Sequence, residues 1–320
     1  FTCPLVQGET YCLRAAFNLN NDERIISPVL DFVGGYEQMK SEFVSIARQL
    51  GFSALEGERA YEKAMSKQLA YLNEAQSIGK EILKQLEDNP EQVRIVIFGR
   101  PYNAFAKEAN MGIPKKLTSR GYLAIPCDFL PYGQEEPQER MYWSMGQVIL
   151  KAAKFVQRHR QLFGLYITNF SCGPDSFVIT YFRDIMGRKP SLTLELDSHT
   201  ADAGIDTRIE AFLDVINSYL ELLKKKERAE GRKKAFSPAR VIYGRQLKVR
   251  DSFGNIYPFT DPKVHSLLPS MGDLSMQMLA ASIRRAGMRA TVVTPPNDEE
   301  LKIGRAYASC KECLPLILTV

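Results

Sequence analysis

Leu162-Phe163-Gly164-Leu165-Tyr166-Ile167-Thr168, followed at once by Asn169-Phe170-Ser171-Cys172-Gly173-Pro174-Asp175-Ser176-Phe177, decides how this chain is read. The first seven residues are an almost unbroken apolar run of strand length, as expected of a parallel strand buried on both faces. Gly173 permits a tight turn and Pro174 suits the first position of a helix, so the run opens into a helix over about 174–186. A strand passing through a short turn into a helix is the repeating step of α/β folds.

The same alternation continues on both sides. Upstream, Arg94-Ile95-Val96-Ile97-Phe98-Gly99 reads as a buried strand, 104–120 as helical, Gly121-Tyr122-Leu123-Ala124-Ile125-Pro126 as the next strand, and about 138–160 as helical. Downstream, 191–196 reads as a strand and 203–225 as a helix. The expectation for 93–225 is a Rossmann-like, doubly wound, mostly parallel sheet. Before it, 37–92 is a helical segment, with Met39, Phe43, Ile46 and Leu50 at three- and four-residue spacing and a stop at Asp88-Asn89-Pro90. Residues 1–36 read as the end of a preceding unit. Within them Pro28 interrupts Ile25-Ile26-Ser27-Pro28-Val29-Leu30, leaving an edge strand or an extended loop.

A basic stretch at 226–238 reads as a linker. Residues 239–320 then read as the start of a second, truncated Rossmann-like unit: a strand at 264–269, a helix at 273–286 ended by Gly287, a strand at 290–293 and a helix at 299–306. The chain opens on Phe1-Thr2-Cys3-Pro4-Leu5 without an initiator Met or a basic leader, and closes in the apolar Leu316-Ile317-Leu318-Thr319-Val320. The expectation is a piece of a longer polypeptide.

Composition narrows the classes. No apolar run is long enough to cross a bilayer, so no membrane role is expected and a cytoplasmic location is. The net charge of +5 comes largely from the run at 224–234, which lacks interleaved aromatics and belongs to no nucleic-acid module. It reads as a solvated helix end and linker, with no nucleic-acid partner. Six cysteines in 320 residues are too sparse for a secreted disulfide scaffold. Several stand beside Gly or Pro, a placement that favours ligation over packing.

Cys172 carries the sharpest chemistry. It would sit at a helix N-terminus, where the positive dipole end lowers a thiol pKa, and a thiolate is what iron or zinc requires. A small buried cysteine in a turn is the other reading, and both stand. Cys310-Lys311-Glu312-Cys313 is a single Cys-x-x-Cys pair; zinc would need a second pair or a His, and His159, His199 and His265 are scattered. Cys3 precedes Pro4, Cys127 lies at a strand end in Ile125-Pro126-Cys127-Asp128, and Cys12 reads as a packing residue. Gly99-Arg100-Pro101-Tyr102-Asn103 follows a strand and reads equally as a structural turn or as a contact for phosphate or carboxylate. It has neither the dinucleotide nor the Walker pattern. Glu195-Leu196-Asp197-Ser198-His199 places carboxylates at another strand end, as an acid–base set or a hydrogen-bond network.

Taken in order, the 99–103, 126–131, 169–177 and 195–199 segments and Lys311-Glu312-Cys313-Leu314-Pro315 resemble the large CoA-substrate-specific enzyme activases, in their region similar to the D component of 2-hydroxyglutaryl-CoA dehydratase. That region falls in the superfamily of 2-hydroxyacyl-CoA dehydratases and benzoyl-CoA reductases. The resemblance implies an iron–sulfur electron-accepting component, with a cluster of the 4Fe–4S type held by cysteines between Rossmann-like subdomains. It implies reduction at low potential by an ATP-hydrolysing activator domain, on the same chain or separate, an acyl-CoA substrate, and a homodimer as one assembly. Carried over by position, Cys172, Cys313 and Cys3 are the ligands, and Arg100, Asn103 and Asp175 are groups that bond to the ligands or face substrate. Cys310 stands where the family has Gly. The family's Cys-x-Pro segment upstream of Cys3 is absent, so part of the ligand set is expected outside this chain. Two rivals are a regulatory or scaffolding domain without a cluster and a zinc-stabilised structural domain.

Overall fold

The computed structural model describes residues 2–19, 25–229, 237–309, 311–313 and 316–317. Most of the 226–238 linker, Cys310, Leu314, Pro315 and the final three residues lie outside the described residues. Two compact units are present, Phe1–Thr207 and Arg208–Val320.

The first unit begins with α1 (Pro4–Ala16), which starts at Pro4 just after Cys3. It has no buried residue, so Cys12 is exposed and is not the packing residue its sequence context suggests. The apolar stretch at 25–30 has no regular secondary structure and pairs with no strand among the described residues, in keeping with Pro28. Next come α2 (Lys40–Gln49) and α3 (Ala54–Asp88), the latter opened by a Ser53/Glu56 capping box and closed at Asn89-Pro90. Gly79 of α3 lies so close to the Phe129 carbonyl that a Cβ would collide with it.

Four parallel strands follow: β1 (Arg94–Phe98), β2 (Leu123–Pro126), β3 (Leu162–Asn169) and β4 (Ser191–Leu196), in the order β2-β1-β3-β4. Every residue of β1 is buried, which explains why its sequence shows a solid apolar run instead of alternation. The helical expectation for 104–120 is corrected. The segment holds two short helices, α4 (Pro101–Ala104) and α5 (Ile113–Thr118). Met111 and Gly112 both adopt positive φ, and Pro114 can only begin a new helix. Next, α6 (Ser144–Arg158) starts six residues later than expected, after 3-10 turns at 127–129 and 132–134. The strand read from 162–168 leads into α7 (Gly173–Met186), and β4 leads into α8 (Asp202–Ala229).

Strand order fixes where a site can form. The chain leaves β1 for its neighbour on one side, then returns past it to β3 on the other side. Right-handed crossovers therefore put α5 on one face and α6 and α7 on the opposite face. The start of α8 joins α5 through Lys116–Asp206 and Arg120–Asp206 ion pairs of 2.8 and 3.1 Å. On the α6/α7 face, Val96, Phe98, Tyr166 and Phe182 form the core, with Gly164 making room where a Cβ would meet Phe182 at 3.0 Å and Phe98 at 3.2 Å. The order reverses between β1 and β3, and the crevice at their carboxyl ends is where open α/β sheets bind ligands.

In the second unit, β5 (Arg240–Ile242), β6 (Lys248–Arg250) and β7 (Ile256–Pro258) form an antiparallel sheet that the sequence reading did not place. Its strands have three residues each, too short for a period to declare itself. The expected strand–helix–strand then appears: β8 (His265–Leu268), α9 (Asp273–Arg285) and β9 (Arg289–Val292), with β8 and β9 parallel, followed by α10 (Asp298–Tyr307). Among the described residues this parallel pair is all that matches the second Rossmann-like unit. No described helix is long and apolar enough to cross a membrane.

Candidate functional site

The loops leaving β1 and β3 meet at the reversal point. From the first, the Arg100 guanidinium reaches across: Nη2 donates to Cys172 Sγ at 2.9 Å and to Asp175 Oδ2 at 3.1 Å. Asp175 stands in the first turn of α7 and is 1% exposed. It also accepts from Thr168 Oγ1 and, at 3.4 Å, from the Tyr166 hydroxyl. The buried carboxylate thus holds the guanidinium, and the guanidinium faces the sulfur. The sequence reading singled out Arg100, Asp175 and Cys172 but missed Thr168 and Tyr166. Those two lie two residues apart on β3, hence on one face, and that spacing is the signal that could have found them.

Cys172 is the N-cap residue of α7 and Cys3 that of α1; a proline stands at the first or second position of each helix, and neither cysteine's side chain caps it. Both thiols lie near Tyr102. Burial pushes its phenol pKa up; Arg100 pulls it back, while Cys172, Asp175 and Cys3 push it further. Arg100 also lies over the Tyr102 ring, 4.9 Å from its centroid. So Cys3, Cys172, Arg100, Tyr102 and Asp175 share one neighbourhood, although Cys3 is 169 residues from Cys172 (172 − 3).

The expectation that the helix N-terminus lowers the Cys172 pKa is corrected. Burial raises it, with the Asp175 carboxylate adding, and this outweighs the Asp175 backbone amide and Arg100, which act the other way. Metal binding here would therefore have to displace a proton.

Cys127 belongs to the core, 2% exposed, with its pKa raised by burial and then by Asp128. It is a packing residue beneath the site. Cys313 lies in the second unit and is exposed, in a loop where the Glu312 carboxylate accepts from Ser309 N–H, Ser309 hydroxyl and Lys311 N–H at 2.8–3.1 Å. Asp197 is engaged locally: it accepts from His199 N–H at 2.9 Å and Thr200 Oγ1 at 2.8 Å, bonds that hold its pKa below the usual carboxylate range.

The residues present fit a thiophilic group in part. Each of the two thiols acts on Tyr102, and two buried donors, Arg100 Nε and Asn103 Nδ2, have no partner among the described residues, so each could serve an acceptor. Among the described residues, however, no three His, Cys, Asp or Glu side chains gather as a metal-holding group. The first unit would supply two ligands, of a set that needs more. Cavities of about 280 and 500 Å³ flank the 169–173 loop. Ser171 in that loop and Met111 facing it both hold positive φ, a strain that non-glycine residues keep mainly at functional sites.

Fold and site define, in the first unit, a parallel α/β protein with a cysteine, Cys172, held against a buried arginine at the strand-order reversal. Residues 1–130 match the family model described as the CoA enzyme activase uncharacterised domain, a span that contains Cys3, Arg100, Tyr102 and Asn103. No curated protein and no solved structure matches the chain.

Proposed function

We propose that this chain is the electron-accepting, iron–sulfur part of an activase-type system related to 2-hydroxyacyl-CoA dehydratases, placed in the cytoplasm and reduced by an ATP-hydrolysing activator. The observation that carries the reading is the pair of N-cap cysteines, Cys3 and Cys172, beside one phenol, with Arg100 at 2.9 Å from the second sulfur. Cys172 and Cys3 would hold the cluster, and Cys313 is the third ligand by resemblance. When bound, the cluster would supply a one-electron carrier of low potential. This chain's own contribution is to hold two thiolates, to aim Arg100 at one of them through Asp175, and to keep water from that side of the site. N–H donors directed at sulfur, together with burial, are the levers that set such a potential. The match over residues 1–130 supports the activase connection. The similarity to the dehydratase D component rests on the 169–177 and 311–315 segments.

The test is iron and acid-labile sulfide content after anaerobic reconstitution of the natural full-length protein. Iron with sulfide, lost in Cys172→Ala and reduced in Cys3→Ala and Cys313→Ala, is the expected result. Zinc without sulfide would move the assignment to the structural zinc domain. Neither metal would leave a scaffold that keeps the fold alone.

A further inference from the structure

The larger cavity, about 500 Å³, lies at the carboxyl ends of β3 and β4 and takes in Tyr102 and Asn103 of α4. Its volume is that of a small-molecule site. Asn103 says what kind of group enters it. The residue is 2% exposed, and its amide nitrogen Nδ2 is buried with no hydrogen-bond partner among the described residues. A buried N–H left unpaired is costly, and such donors in folded proteins ordinarily meet an acceptor. An acceptor carried by a ligand in the cleft would satisfy it.

Charge decides which acceptor. The lining holds two carboxylates, Glu108 and Asp197, and no lysine or arginine. Arg100 lies over the Tyr102 ring but is paired with Asp175 at 3.1 Å. A phosphate or carboxylate, the anion that the sequence suggests for the Gly99-Arg100 turn, would therefore meet like charge here. An ammonium group would suit the carboxylates but offers Nδ2 no acceptor. An uncharged oxygen remains. Asp197 takes its local bonds, from Thr200 Oγ1 at 2.8 Å and His199 N–H at 2.9 Å, on Oδ1, so Oδ2 can accept from a ligand N–H. A carbonyl and an N–H on one uncharged group make a carboxamide.

We infer that this cleft binds a primary carboxamide on a flat apolar body, its carbonyl oxygen accepting from Asn103 Nδ2 and its N–H donating to Asp197. The rings of Tyr102 and Phe170, 59% and 63% exposed, flank the apolar body. An ester or thioester carbonyl would satisfy Asn103 alone, so the site separates amides from acyl esters. The inference does not rest on a cluster, and its readouts are independent of iron content.

Four fragments of one shape decide it: benzamide, methyl benzoate, benzoate and benzylamine, titrated against the full chain by NMR. Benzamide is expected to bind at least about tenfold more tightly than each of the others. It should also shift the side-chain amide protons of Asn103, a readout that needs no variant. Asn103→Leu, close in size, removes a donor that has no partner in the fold. It should melt no lower than the unaltered protein and should weaken benzamide about tenfold. Methyl benzoate, benzoate or benzylamine matching benzamide would overturn the inference, as would an unmoved Asn103 signal or no benzamide binding at millimolar concentration. So would undiminished binding by Asn103→Leu, and so would its unfolding, which would mean that the donor is already satisfied within the chain.

Discussion

Arg100 Nη2 lies 2.9 Å from Cys172 Sγ, although seventy-two residues separate the two in the chain. The contact exists because the turn after β1 and the turn after β3 are neighbours in the sheet, and because Asp175, one helical turn beyond Cys172, grips the same guanidinium nitrogen at 3.1 Å. One buried ion pair therefore both steadies the crevice and aims a positive charge at a sulfur.

Arg100→Met should destabilise the protein by about 3 kcal/mol, since it leaves the Asp175 carboxylate buried without its cation. Arg100→Met combined with Asp175→Leu should recover much of that loss, because neither charge then remains. Urea denaturation of the two variants compares them directly, and equal stability would mean that Asp175 finds enough support from Thr168 and Tyr166.

Cys172 should be a slow thiol. Burial and Asp175 keep it protonated beyond the ordinary cysteine range, so alkylation by iodoacetamide at pH 8 should lag behind that of exposed Cys12. Asp175→Asn should speed it, and Arg100→Met should slow it further. Mass spectrometry of the alkylated peptides reads each site separately.

Lys189 is 5% exposed, and its ammonium donates to the carbonyls of Val156, at 2.7 Å, and His159, at the end of α6. Burial lowers its pKa to about 7, against 10.5 for an ordinary lysine. Between those values the unfolded chain holds a proton that the folded chain releases, so the stability contributed by this group rises from about pH 7 to about pH 10.5. The two carbonyl acceptors favour the charged form, so the gain stays below the roughly 5 kcal/mol to which a drop from 10.5 to about 7 corresponds. Lys189→Met should flatten this part of a chemical-denaturation profile.

Gly164→Ala should cost about 1–3 kcal/mol. Its Cβ would press on Phe182 at 3.0 Å and Phe98 at 3.2 Å, two rings packed with centroids 5.0 Å apart in the core. A thermal melt at unchanged secondary structure would register the loss. Gly173→Ala, where a Cβ meets nothing within 4 Å, is the matched control.

The sequence by itself determined the elements whose causes are local. The apolar runs of β1 and β3 announce burial on both faces, Asn89-Pro90 stops α3, and Pro174 starts α7 at Cys172. For the same reason it exposed Arg100, Asp175 and Cys172, since each stands at a strand end beside Gly or Pro. Tertiary structure decided the rest. Strand order β2-β1-β3-β4 arises from which faces the helices cover, and no single stretch states it, so the crevice between β1 and β3 could not be read in advance. The approach of Cys3 to Tyr102, the burial of Cys127 and the roles of Tyr166 and Thr168 depend on residues far apart in the chain. So does the direction of the Cys172 shift. A helix N-terminus is visible in a Gly-Pro pair, whereas the desolvation that outweighs it comes from neighbours that only folding brings together.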